Sequence, residues 1–138
     1  MRRVALIVAR NPKGKILLQH RDGNTTHKPN KWAFFGGHIE EGEEPSVAAA
    51  REFMEELGVL IENPIHTLTI MYADMEGLTE KHFFTTDLDE SAESLRAKQT
   101  EGDGLGWFSR EELRGLDMSQ EDFYLANKIL QSWATDRQ

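Results

Sequence analysis

Val4–Ala9 is an unbroken apolar run between Arg3 and Arg10, which predicts a strand buried within a sheet. Asn11-Pro12-Lys13-Gly14 is turn chemistry, so Lys15–His20, carrying Ile16, Leu17 and Leu18, pairs back as a hairpin strand. Arg21–Lys31 is polar and reads as a loop. Trp32–Phe35 predicts a short aromatic strand that stops at Gly36-Gly37, and His38–Glu44 an acidic loop. Pro45 suits the first turn of a helix and Gly58 its C-terminal cap. Between them Val47, Ala50, Met54 and Leu57 form an apolar stripe of helical period, with the glutamates largely off it. Strands are then expected over Val59–Ile61, Ile65–Ala73 and Lys81–Leu88, the last two across a Met75–Thr79 turn. Ser91–Lys98 is ambiguous. Leu105–Phe108 predicts a last strand and Arg110–Leu113 a helical turn. Ser119 with Asp122 resembles a capping box, opening a helix whose Phe123, Ala126, Ile129, Leu130 and Trp133 face a core. The order of three strands, a helix, three strands and a helix predicts an α/β (α+β) fold in which helices cover a mixed sheet.

Composition narrows the function. A chain of 138 residues suits one domain, residues 1–138, with a substantial core, and no repeat, linker or low-complexity segment divides it. Its hydrophobic fraction of 38% and charged fraction of 29% are those of a soluble globular protein. The net charge of −8 and pI of about 5.1 argue against a nucleic-acid polymer as partner, since phosphate backbones need a basic patch. They do not exclude nucleotides, provided metal ions screen the two acidic partners. The absence of cysteine excludes disulfides, zinc–thiolate sites and thiol nucleophiles. The apolar run VALIVA is too short for a signal-peptide core, and no stretch approaches membrane-spanning length. The expectation is a cytoplasmic protein without a membrane partner.

The chemistry concentrates in REFMEELG, residues 51–58. On a helix, Glu52, Glu55 and Glu56 are neighbours at i, i+3 and i, i+4 spacing, where like charges repel by a few tenths of a kcal/mol per pair. Glutamate is common on solvated helix faces, which is the bland explanation. Three features weigh against it. Only Arg51 offers a nearby cation, a double glycine ends a strand just upstream, and Glu40, Glu41, Glu43 and Glu44 add acid in between. Hard oxygen ligands on one rigid face suit Mg²⁺ or Mn²⁺, which complete their shells with water and substrate phosphates.

The stretch GGHIEEGEEPSVAAAREFMEELGV resembles the signature box of the Nudix hydrolases. That pattern is Gly, five residues, Glu, seven residues, Arg-Glu, an aliphatic, any residue, Glu-Glu, any residue, Gly, an aliphatic, and Gly37, Glu43, Arg51, Glu52, Glu55, Glu56, Gly58 and Val59 fill it. Phe53 stands where the family has Ile, Leu or Val, a conservative change on the packing side. ILLQHR, NKWAFFGG and EGDGLGWFSREEL are also similar to the family, so the likeness covers most of the chain, although Phe35 stands where many members have proline. The resemblance implies a Nudix fold, a mixed sheet between helices with a loop–helix–loop metal site. It implies hydrolysis of a nucleoside diphosphate linked to a moiety X, with Mg²⁺ or Mn²⁺ as cofactor. Carried over, Glu52, Glu55 and Glu56 become metal ligands, with the Gly36 carbonyl as a further one. Arg51 becomes an orienter of Glu43 or Glu55, and Glu43 and Gly58 become structural members of the motif.

The general base stays open between Glu52 or Glu55 in the box and Glu101 in the later loop TEGDG. Arg21 is a candidate for a substrate phosphate, Gly37 for close backbone approach, and Trp32 and Phe34 for stacking on a base or filling the core. His38 sits beside the metal loop and is assigned to packing, as are Trp107 and Trp133; the other histidines share no zinc-site spacing. Two other classes compete: a Nudix-fold module that binds nucleotides without turnover, and an acidic calcium-binding protein. The charged box positions are intact, which favours an enzyme, and the EF-hand spacing is absent. The box addresses the pyrophosphate and leaves X open among NTPs, oxidised NTPs, nucleotide sugars, ADP-ribose and dinucleoside polyphosphates. A monomer and a homodimer are both compatible.

Overall fold

A computed structural model describes residues 1–136. Its elements run β1 (Arg2–Arg10), β2 (Ile16–His20), β3 (Trp32–Ala33), β4 (Phe35–His38), α1 (Pro45–Leu57), β5 (Ile65–Asp74), β6 (Gly77–Asp87), α2 (Ala92–Lys98), β7 (Gly104–Phe108), a 3-10 turn at Glu112–Gly115, and α3 (Gln120–Asp136). Among the described residues the strands join into one mixed sheet. β1 is its hub, parallel to β6 and antiparallel to β2 and β4, while β2 also pairs with β3 and β7.

Side-chain alternation along the strands divides the core in two. Ala5, Ile7, Ala9, Leu17, Phe35 and Phe84 point to one face, where α1 and α2 cover them with Ala48, Ala49, Phe53, Leu57 and Leu95. Val8, Ile16, Leu18, Phe34 and Phe83 point to the other, where α3 supplies Leu125, Ala126, Ile129, Leu130 and Trp133. The expected sheet between helices is therefore the one formed.

Four local expectations change. The buried stripe of α1 is Ala48, Ala49, Phe53, Glu56 and Leu57, whereas Val47 and Met54 are exposed. Two apolar stripes lie side by side on this helix. The one with Phe53 wins because an aromatic ring buries more area, packs edge-on to Phe35 at 5.8 Å, and is flanked by alanines small enough to sit close to β1. The single strand expected over Trp32–Phe35 breaks at Phe34 into β3, paired with β2, and β4, paired with β1, and β4 does not stop at the glycines but sets Gly36 opposite Leu6 and Gly37 opposite Ala5. Val59–Ile61 is irregular, with Ile61 anchored in the core by its side chain rather than by a strand ladder. The β5–β6 turn tightens to Met75-Glu76. Ser91–Lys98 resolves as α2, its Ser91 Oγ accepting the Ser94 N–H, and Ser119 Oγ likewise accepts the Asp122 N–H at the start of α3.

Candidate metal and phosphate site

The acidic helix and the double glycine meet because β4 and α1 both pack on β1. Gly36 has φ +151, and a Cβ there would lie 2.2 Å from the Ala5 carbonyl oxygen. At Gly37 a Cβ would lie 2.4 Å from Cδ of Glu52. No other residue fits at Gly36, and at Gly37 a side chain would have to displace the Glu52 carboxylate, so the pair brings bare backbone against the carboxylates.

Arg51 organises this surface. It donates to both oxygens of Glu43, Nε to Oε2 at 2.8 Å and Nη2 to Oε1 at 3.0 Å, a bidentate fork that ties the acidic loop to α1. Nη2 also donates to the His38 carbonyl at 3.0 Å, and Nη1 to Glu52 at 3.0 Å and Glu55 at 3.4 Å. The fork holds the Glu43 carboxyl at about 2 and raises the arginine above its ordinary range. Arg51 thus holds Glu43, Glu52 and Glu55 together, where one partner, Glu43 or Glu55, was expected. His38 contributes only its carbonyl to this network.

The three box glutamates occupy three depths. Glu55 is outermost, its side chain 58% exposed, and Glu52 is mostly covered. Glu56 faces inward, 2% exposed, contrary to the expectation that the glutamates avoid the packed face. Phe53 sets this, because the residue three positions on follows it onto the buried side. Burial pushes the Glu56 carboxyl up to about 9, helped by the negative charges of Glu101 and Glu52 and opposed by the Gly36 N–H and by Arg21. Burial also raises Glu52. The Oε2 atom of Glu56 is fully enclosed without a hydrogen-bond partner. Among the described residues no set of three acidic or histidine side chains stands ready as a metal cage. An enclosed carboxylate oxygen without a donor, beside two further carboxylates and bare glycine backbone, nevertheless has the chemistry a hard divalent cation requires.

Glu101 reaches this group from the loop before β7. Thr100 fastens that loop to the end of α1 through its N–H on the Glu56 carbonyl and its hydroxyl on the Glu55 carbonyl, both at 3.0 Å. The Asp103 N–H fastens the other side to the His20 carbonyl. Arg21 stands opposite, held by its Nε on the His27 carbonyl at 2.8 Å and Nη2 on the Thr25 hydroxyl at 2.7 Å. Arg21, Gly36, Gly37, Glu52, Glu101 and Phe34 all line one cleft of about 740 Å³. Trp32 lines neither this cleft nor the neighbouring cavity; it packs edge-on between His20 and Phe108. Phe34 is 4% exposed and belongs to the α3-side core as much as to the cleft.

Sequence reasoning missed the far end of the cleft. Lys81 is 8% exposed, donates to Glu121 at 2.6 Å, and sits over the Tyr72 ring at 5.0 Å. Buried Asp122 accepts from Lys28 at 2.7 Å. The i, i+2 step from Lys81 to Phe83, which puts the lysine on the same strand face as a buried ring, was the available signal for Lys81; Asp122 was concealed by its plausibility as a capping residue.

The family model described as NUDIX domain matches residues 1–128. An uncharacterised Nudix hydrolase of Listeria monocytogenes is 32% identical over 86% of this chain and 71% of its own length. A putative 8-oxo-dGTP diphosphatase of Mycobacterium tuberculosis is 30% identical over 82% of the chain, which spans only 54% of that relative. Among solved structures, the MutT protein of Methanosarcina mazei superposes with a TM-score of 0.78 over 96% of this chain and 94% of that one at 21% identity, a likeness of fold.

Proposed function

The chain belongs to the Nudix family, and from that premise we propose that it is a pyrophosphohydrolase acting on a nucleoside diphosphate linked to a group X, with Mg²⁺ or Mn²⁺ as cofactor. The observation that carries this is the enclosed, unpartnered Glu56 oxygen facing Glu52 and Glu101 at a cleft. The named diphosphatase among the relatives supports a nucleotide substrate. Glu52, Glu55 and Glu56, with the Gly36 carbonyl, would hold the cation, which when bound neutralises charge on phosphate oxygens and makes water more acidic.

The remaining roles fall to the chain itself. Arg51 keeps Glu52 and Glu55 oriented while Glu43 keeps Arg51 in place. Gly37 lets the pyrophosphate approach the backbone, and Arg21 donates to a phosphate oxygen from the opposite wall. Leu6, Phe34 and Tyr72 offer the nucleoside apolar and aromatic surface in the large cleft. Glu101 accepts a proton from the attacking water. Positioning and electrostatics then carry the phosphoryl transfer.

The test is hydrolysis of a panel of nucleotide derivatives with products separated by chromatography. Activity should disappear in excess EDTA and return with Mg²⁺ or Mn²⁺. Full turnover in chelator would remove the metal-assisted mechanism.

A further inference from the structure

Arg21 and Glu101 have two sides. One faces the large cleft; the other faces a second cavity of about 480 Å³ between the loop after β2 and the loop before β7. That size is sufficient for a small-molecule group. Beyond the two shared residues, Gln19, Asp22, Asn24, Thr25, Thr100 and the glycine Gly102 line it. None is apolar or aromatic, so the cavity has no surface on which a base could stack. It suits a group that is polar over its whole perimeter.

Charge decides between the two polar groups that could follow a pyrophosphate. The lining carries Arg21 against Asp22 and Glu101, and no lysine, a formal balance of −1. Two of the arginine's N–H groups are already committed to His27 and Thr25. Glu52 and Gly36, assigned to the cation, line the large cleft and not this cavity, so a cation there acts on the pyrophosphate. A terminal phosphate brings about −1.5 to −2 of charge and finds little to receive it. The Gln19 amide and the Thr100 hydroxyl already donate to the Phe34 and Glu55 carbonyls, but the Asp22 and Glu101 carboxylates and the Asn24 amide match the donors and acceptors of a neutral polyol. The turn that carries Asn24 is held by its backbone N–H, which donates to Asp22 Oδ1 at 2.9 Å.

Resting on the pyrophosphohydrolase reading, we infer that this cavity receives X and that X is an uncharged polyhydroxylated group. The substrate class is then a nucleoside diphosphate sugar rather than a nucleoside triphosphate. The nucleoside lies in the large cleft, the pyrophosphate at Glu52, Glu56 and Arg21, and the sugar beyond Glu101. Water oxygen bonds to one phosphorus, the anhydride P–O bond breaks, and the bridging oxygen leaves on the other phosphate. The products are a nucleoside monophosphate and a sugar phosphate, and the water's protons pass through the base to solvent.

The experiment compares kcat/KM for nucleoside diphosphate hexoses and ADP-ribose with that for the triphosphate of the same base, across the common bases, with Mg²⁺. The sugar derivative should be favoured at least tenfold. Preference for triphosphates overturns this inference and leaves the hydrolase reading intact; no hydrolysis of either class overturns both. Asp22→Lys, which adds a cation to the cavity, should shift the ratio toward the triphosphate at least tenfold. Asn24→Ala, which keeps the backbone N–H of the turn, should lower the ratio by a similar factor. Folded variants, checked by thermal melting, with an unchanged ratio would place the sugar elsewhere and overturn the assignment.

Discussion

Glu56 is a carboxylic acid in a position where a core residue belongs, and its environment makes its protonation a stability variable. Burial raises its pKa from 4.5 to about 9. Between those values the folded chain keeps a proton that the unfolded chain has released. The stability this adds is full below about 4.5 and is lost as pH rises through about 9. In chelator, the urea midpoint should therefore fall between about pH 6 and about pH 9, and Glu56→Gln should flatten that slope. A wild-type midpoint independent of pH over this interval contradicts the assignment. The same substitution keeps volume and removes a proposed cation ligand, so kcat should drop by about 10²–10⁴. A variant that melts like the wild type but turns over normally would make the box glutamate dispensable.

At the scale of elements, the site is a loop, a strand and a helix held in register by Arg51 and the glycine pair. Arg51→Lys retains the charge but not the planar fork onto Glu43. Turnover should fall more than about tenfold, with the loop loosening, as amide exchange at Glu40–Glu44 would show. The Glu43–Arg51 pair also has a pH signature: Glu43 is lowered from 4.5 to about 2, so its contribution is present above about 4.5 and lost as pH falls through about 2. Gly37→Ala sets a Cβ against the Glu52 carboxylate and should weaken cation binding, read by Mg²⁺ titration of the rate, while the fold persists. Phe53→Ala acts on the packing side instead. Removing a ring that is 1% exposed between Phe35 and the alanine pair should cost about 3–5 kcal/mol, measured by denaturant unfolding.

For the whole molecule, Glu101 depends on the β2–β7 ladder and the Thr100 anchors to reach carboxylates that lie some forty-five residues earlier in the chain. Glu101→Gln should lower kcat by about 10². Its apparent Mg²⁺ affinity should weaken only when substrate is present, since the box glutamates hold the cation without it. Wild-type kcat at every Mg²⁺ concentration, on the best substrate found, would remove Glu101 from the chemistry.

The sequence by itself determined the sheet-and-helix architecture, the capped α3 and the presence of a carboxylate cluster. Each of these rests on local spacing: strand alternation, helical period, cap chemistry and the fixed intervals of REFMEELG. Only the tertiary structure decided which of two apolar stripes on α1 is buried, because periodicity admits both and packing against Phe35 selects one. That selection turned Glu56 inward and so separated three glutamates that look alike in the chain into an exposed, a covered and an enclosed carboxylate. The continuation of β4 through Gly36 and Gly37 was likewise a tertiary matter, since glycine disfavours a strand locally, is required at Gly36 by the approach of the Ala5 backbone, and at Gly37 leaves room for the Glu52 carboxylate. The polar cavity behind Arg21 was invisible for a related reason: Gln19, Asn24 and Thr100 lie on three separate segments, and only the β2–β7 pairing brings those segments together.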